Sequence, residues 1–497
     1  PPIGNPTGDP STDPPIYIKH TEPSWFSDAT GLHLFWRGWA FRQNSQVWDG
    51  RIFYSPDGIT PYQIGADASY KNSPRLTIIP ANYTPTATPW GLLLWFSGDR
   101  GSWQIFYNSN PNAIDINSWQ RDRRVPVPAE VSYAKDPFPL WRIMNVNGQP
   151  TPVLELIYAG FLNTRGNMEI LLSRYPLNYN PDTGALTLSG QMLALPRVYN
   201  EALQRNETGT IYWSKHIHWL TTRDDPNLAP RIWANGREIT GWRWDADKQK
   251  WYVNDAQLGK IWMDTVAGVI TFQQPFSGDV IAEYSPRVLC LTNSTLSDAQ
   301  PFAVVESSIN KLHPAVGEPG WQGQRDPRSP QTTYLNRDRI HLFWRRSHSP
   351  IAQGQVTLFH KAIRARALSL IPPQGAYGST AFMDVKGTIW VKVAGGAYEW
   401  YPMDPLTGMI YFAPEDEGRT ITLLFNNRQV VPVLDEETVL NPERMVPIDN
   451  ITNESQLSAY GNYLPGQFMD KIWLSWTSSK EVMASIYYET FSSPFWR

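Results

Sequence analysis

The hexapeptide Leu32-His33-Leu34-Phe35-Trp36-Arg37 returns almost unchanged as Ile340-His341-Leu342-Phe343-Trp344-Arg345. Weaker copies stand at Leu92–Phe96 (LLLWF), Leu154–Tyr158 (LELIY), Ile217–Leu220 (IHWL) and Ile472–Trp476 (IWLSW). Each is short, rich in β-branched and aromatic residues, and bounded by Gly, Pro, Asp or Asn, which is the signature of a strand. A second strand follows most copies after a polar turn: RIFYS from Arg51, QIFYNS from Gln104, MEILLS from Met168, QVTLFH from Gln355 and SIYYE from Ser485. A proline-headed segment often precedes the first, as in SPRLTIIP from Ser73 and DPFPLWRIM from Asp136. The first four copies along the chain, through Trp219, are spaced about 60 residues apart, and the two widest gaps are about twice that. Four-stranded units of this length, repeated around an axis, make a β-propeller.

The wide gaps hold a second repeat. Met263–Phe272 (MDTVAGVITF) and Met403–Phe412 (MDPLTGMIYF) share one pattern, each followed by an alternating strand, VIAEY from Val280 and TITLLF from Thr420. Trp/Tyr-rich strand pairs precede both. The reading is therefore all-β: a six-bladed β-propeller with two small inserted antiparallel β modules. Its divisions are an extended N-terminal arm at 1–15, blades 1–4 at 16–232 and the first module at 233–287. The end of blade 4 and blade 5 take 288–375, the second module 376–430, and blade 6 takes 431–497. The strand from Ile16 is expected to close that last blade, because closure hides two sheet edges. Gly268 and Gly408 are expected at equivalent turns with positive φ.

Composition agrees with a folded chain: of 497 residues, 41% are hydrophobic and 18% charged. The net charge of −3 gives no support to a nucleic-acid face. The single cysteine, Cys290, excludes an intrachain disulfide and a multi-cysteine metal site. No stretch reaches the length of an apolar membrane span, and the proline-rich N-terminus lacks the pattern of a signal peptide.

Ser55–Tyr62 (SPDGITPY) resembles a degraded Asp-box of the sialidase-like propellers, in which that box is a structural turn. The duplicated module resembles a strand–turn–strand pattern of tailed-bacteriophage tail and baseplate proteins. That resemblance implies a structural or adhesion subunit of a virion, assembled in the host cytoplasm. Its implied partners are other virion subunits and, at the particle surface, a host glycan. Two alternatives remain: a sialidase-like or other glycoside hydrolase propeller, and a glycan-binding module.

The candidate chemistry is sparse. Arg75, Arg142, Arg197 and Arg287 follow proline-led segments; the sialidase resemblance implies that such arginines clamp a carboxylated sugar by paired hydrogen bonds. Glu155, inside LELIY, is a carboxylate among apolar neighbours. It lacks a visible second carboxylate, which glycoside hydrolysis requires. His33, His341 and His218 recur at one strand position, but blades hold such positions too far apart for one ion. No catalytic residue, metal ligand or cofactor is assigned, and cleavage of glycosides is not expected.

Overall fold

The computed structural model describes residues 16–28, 31–42, 47–55, 62–64 and 71–79, nearly all of 84–306, and strand segments between 339 and 492. Among these residues the protein is almost entirely β, with helical structure confined to short 3-10 turns such as Ile116–Ser118 and Pro226–Leu228. No helix among them is long and apolar enough to cross a membrane.

Five sheets are built on antiparallel meanders. The first runs Ile16–Asp28, Gly31–Arg42, Val47–Ser55, Tyr62–Ile64; the second runs Asn72–Ile79, Trp90–Asp99, Ser102–Asn110, Arg123–Arg124. The third begins with Val131–Val146, Gln149–Leu162 and Asn167–Asn180. The fourth begins with Asp298–Glu306, Arg339–Ser347 and Val356–Ala365, and the fifth comprises Asn453–Asn462, Lys471–Lys480 and Met483–Ser492. Their first strands neighbour one another in chain order, from the first sheet through to the fifth.

Face-to-face packing explains why the inner strands read as unbroken apolar runs. In Trp90–Asp99, Leu92 and Leu94 share a buried cluster with Leu154, Leu156 and Tyr158 of the third sheet. Leu93 and Trp95 point the other way, into a cluster with Phe35, Ile52 and Tyr54 of the first. Ile157 and Ala159 of the third sheet in turn meet Leu342 and Trp344 of the fourth. Side chains alternate across a strand, so a strand buried on both faces has no polar side to show. Sheets stacked this way, with first strands side by side, have the blade arrangement of a propeller.

Two modules interrupt the third and fourth sheets at the same place, after the third strand. The third sheet is completed by Pro286–Cys290, with Ile217–Trp219 beyond it. Between Asn167–Asn180 and Pro286–Cys290 the chain builds a sheet of Val198–Ala202, Val280–Tyr284, Arg231–Ala234 and Arg237–Ile239. A six-stranded sheet packs on it: Gln204–Arg205, Ile211–Trp213, Val269–Phe272, Gly259–Asp264, Lys250–Asp255 and Arg243–Asp245. In the fourth sheet, Val356–Ala365 pairs with Leu434–Asp435 and Arg444–Met445, which lie beyond the second module's strands, Ala381–Met383 to Arg428–Val430.

Several expectations are corrected here. The strand around Trp219 founds no blade; three residues long, it is an edge strand paired with Pro286–Cys290. The described residues therefore hold five meander sheets where six blades were expected. The first module starts at Val198, not at 233, because Val198 pairs with Tyr284. The strand from Ile16 pairs with Gly31–Arg42 in the first sheet, and the C-terminal sheet is built from its own three strands. Gly268 has the expected positive φ, 69°. The arm at 1–15 and Gly408 lie outside the described residues.

Candidate functional site

The first strand of every meander sheet is broken at one equivalent position. The pairing register skips Glu22-Pro23 in the first sheet, Ser73-Pro74 in the second and Asp136-Pro137 in the third. It skips Gln300-Pro301 in the fourth and Gln456-Leu457 in the fifth. Proline has no N–H for the ladder, so an X-Pro pair leaves it most cheaply as a bulge. The residue before the proline bears the consequence. Ser73, Asp136 and Gln300 have φ of 47°, 52° and 51°. A non-glycine residue at positive φ costs on the order of 1 kcal/mol or more, and pre-proline residues prefer extended backbone. Strain recurring at matched positions is the kind that marks functional sites.

These bulges meet between sheets. The backbone N–H of Gln300 donates to Asp136 Oδ2 at 3.2 Å, joining the fourth sheet to the third. Arg75 of the second sheet places its guanidinium carbon 5.4 Å from the ring centre of Phe302 in the fourth. Phe302 also packs on Phe138 of the third, with ring centres 4.7 Å apart. Asp136 is buried, with Lys135 Nζ 4.0 Å from its carboxylate. Gln300 Oε1 is buried without a hydrogen-bond partner among the described residues, leaving an acceptor for a hydroxyl or amide donor. A carboxylate, a guanidinium, an amide and two phenyl rings from three sheets therefore converge where the first strands run side by side.

Of the residues proposed from sequence, this cluster contains Arg75 alone. Arg142 lies on the same first strand as Asp136, opposite Val153, and its side chain is outside the described residues. Arg197 is in the first module's base, donating to Ala229 O at 3.1 Å with Glu283 3.9 Å away. Arg287 is on the outer part of the third sheet, paired with Asp224 at 2.9 Å. Glu155 accepts from Arg174 Nε at 2.7 Å, both fully buried within the third sheet. That ion pair answers the question left by its sequence: Glu155 has a structural partner. The carboxylate missed from sequence is Asp136. Its signal was present in the proline-headed segments EPSW, SPRL, DPFP and QPFA, whose informative residue is the one before the proline.

No protein-family model and no curated protein matches the sequence. Solved structures do match. A Bombyx mori GH32 β-fructofuranosidase is 11% identical over 54% of this chain and 77% of its own, with a TM-score of 0.22. A glycosyl hydrolase from Bacteroides ovatus is 11% identical over 53% and 83%, with a TM-score of 0.19. Another glycoside hydrolase is 8% identical over 81% and 89%, with a TM-score of 0.25. Superpositions this loose transfer neither a site nor an activity. They do correct the reading as a virion subunit with virion partners: the three structures just described are glycosidases by name, and none is a virion protein.

Proposed function

We propose that the chain is a carbohydrate-acting propeller of five blades, with its centre at the ring of bulges on the first strands. The observation that carries this is Asp136: a buried carboxylate on a strained X-Pro bulge, between Lys135 and the Gln300 bulge. The equivalent backbone bulge of the first sheet carries Glu22, the residue to which the proposal assigns the second carboxyl group. Hydrolysis of a glycoside needs two such groups, one to protonate the leaving oxygen and one to act as base or nucleophile. Asp136, with Lys135 Nζ 4.0 Å away, is assigned the second role and Glu22 the first. Gln300 Oε1 and the Arg75 guanidinium orient sugar hydroxyls, and Phe302 and Phe138 offer apolar surface to the ring.

The test is turnover of a panel of aryl glycosides and oligosaccharides by the purified chain. Asp136→Asn and Glu22→Gln are each expected to lower kcat by about 100-fold to 10,000-fold. Turnover that survives both substitutions, or a chain that neither cleaves nor binds any glycan, sinks the proposal.

A further inference from the structure

The six-stranded sheet of the first module has one face in that module's core and one face open. Tyr212, Ile261, Met263 and Ile270 point inward with Trp251 and Val253. The alternate residues form a row across five strands, in the order Ile211, Thr271, Trp262, Tyr252 and Arg243. Four strand spacings make the row about 19 Å long. Trp262 and Tyr252 are only partly buried, with ring centres 5.3 Å apart, and Ile211 is 38% exposed.

Cations sit on these rings. Lys260 Nζ lies 4.3 Å from the Trp262 ring centre and 4.8 Å from that of Tyr252, and Lys248 Nζ lies 4.3 Å from Trp262. Neither lysine, nor the exposed Arg243, has an ion-pair partner among the described residues. The acids beside the row are engaged: Asp264 by Lys250 at 3.1 Å, and Asp245 by the backbone N–H groups of Asp247 and Lys248, each at 3.1 Å. The second module repeats the theme. When Met263 and Met403 are aligned by their shared strand pairing, Trp400 falls at the place of Lys260 and Lys392 at that of Asn254. There Lys392 Nζ lies 5.7 Å from the Trp400 ring centre.

We infer that this face binds an acidic polysaccharide, one bearing a carboxylate on each sugar. Rings offered from adjacent strands stack on the apolar faces of successive sugars, and the ammonium groups pair with the carboxylates. Three cations along the row match so sparse a charge. A duplex nucleic acid carries about one charge per 1.7 Å, far more than three cations neutralise, and the chain as a whole is at −3. The face is separate from the bulge ring, so this inference stands or falls apart from the hydrolase proposal.

The experiment titrates the full chain with polygalacturonate, with its methyl-esterified counterpart and with a single-stranded oligothymidylate. Polygalacturonate is expected to bind, more weakly as salt rises, and the methyl ester to bind at least about tenfold more weakly. Trp262→Ala and the double substitution Lys248→Ala/Lys260→Ala are each expected to weaken polygalacturonate by about tenfold or more, with turnover of small glycosides unchanged. If Trp262→Ala does not fold, the lysine pair carries the test, since both lysines lie on the open face. Absence of polygalacturonate binding, equal binding of the ester, affinity undiminished in the lysine variant, or preference for the oligothymidylate would each overturn the inference.

Discussion

His218 shows how one side chain can set a pH limit on the fold. It lies on the short edge strand of the third sheet at φ 57°, and its Nδ1 is buried without a hydrogen-bond partner among the described residues. Burial, and then the positive charge of Arg287, lower its pKa to about 4, with Asp224 pulling weakly the other way. The unfolded chain therefore takes up a proton on this ring near pH 6.5 that the folded chain accepts only near pH 4. Stability from the neutral ring is fully present above pH 6.5 and is lost as pH falls towards 4, by up to about 3 kcal/mol. The expected outcome is that His218→Asn, which tolerates positive φ, is less acid-sensitive than the wild type. Urea unfolding of both proteins at pH 7.5 and pH 4.5 isolates the difference, because the protein's carboxylates are common to the two. A stability gap that does not change with pH would refute it.

At the scale of the strand, the bulge at Asp136 trades backbone comfort for a placed carboxylate. Removing the side chain separates the two. Asp136→Gly and Asp136→Ala both lose the carboxylate, but only glycine is at ease at φ 52°. The glycine variant is expected to be more stable than the alanine variant by about 1 kcal/mol, with both inactive. Thermal or urea unfolding decides it; equal stability would mean the strand is not held in that conformation. The same strands show what could be read beforehand. Short runs rich in aromatic and β-branched residues marked the strands, because a strand buried on both faces is apolar along its buried length, as Trp90 to Phe96 is. They did not give the pairing. Ile217–Trp219 has a blade strand's composition, yet Trp219 is buried against Tyr284 of the module, with ring centres 4.4 Å apart. An edge strand packed between two bodies meets the same apolar demand as a strand inside a blade. The site was harder still: the carboxylate at the bulge is set by register across three chain-distant sheets, whereas Glu155 looked conspicuous only because its partner, Arg174, lies on the next strand.

For the whole molecule, the question is how an inserted body with its own core is held to a blade. The hairpin between Gln149–Leu162 and Asn167–Asn180 carries Arg165 at its turn. Its Nη1 donates to both oxygens of Glu169, at 2.8 and 3.0 Å. Its Nη2 donates to the carbonyls of Ser214 and Lys215 in the module, at 2.7 and 2.5 Å. From the module side, His216 Nδ1 accepts the N–H of Cys290 in the blade at 3.1 Å. Glu169 is 1% exposed, and burial raises its pKa while Arg165 opposes the rise. Arg165→Met leaves that carboxylate without its cation and two module carbonyls without their donor. Breaking a buried pair from one side typically costs about 3–5 kcal/mol. Because the lost bonds join blade to module, the cost falls on their coupling as well as on each part. Calorimetry of the wild type is expected to show blade and module melting together, and that of Arg165→Met an earlier module transition. Amides of Val198–Tyr284 are expected to exchange faster in the variant while those of Trp90–Asp99 keep their protection. Adding Glu169→Gln removes the stranded charge and is expected to restore part of the stability but not the coupling, since the carbonyls of Ser214 and Lys215 still lack the guanidinium. If the single variant melts in one transition, with both sets of amides exposed alike, the two cores are joined chiefly through Trp219 and the shared sheet rather than through Arg165.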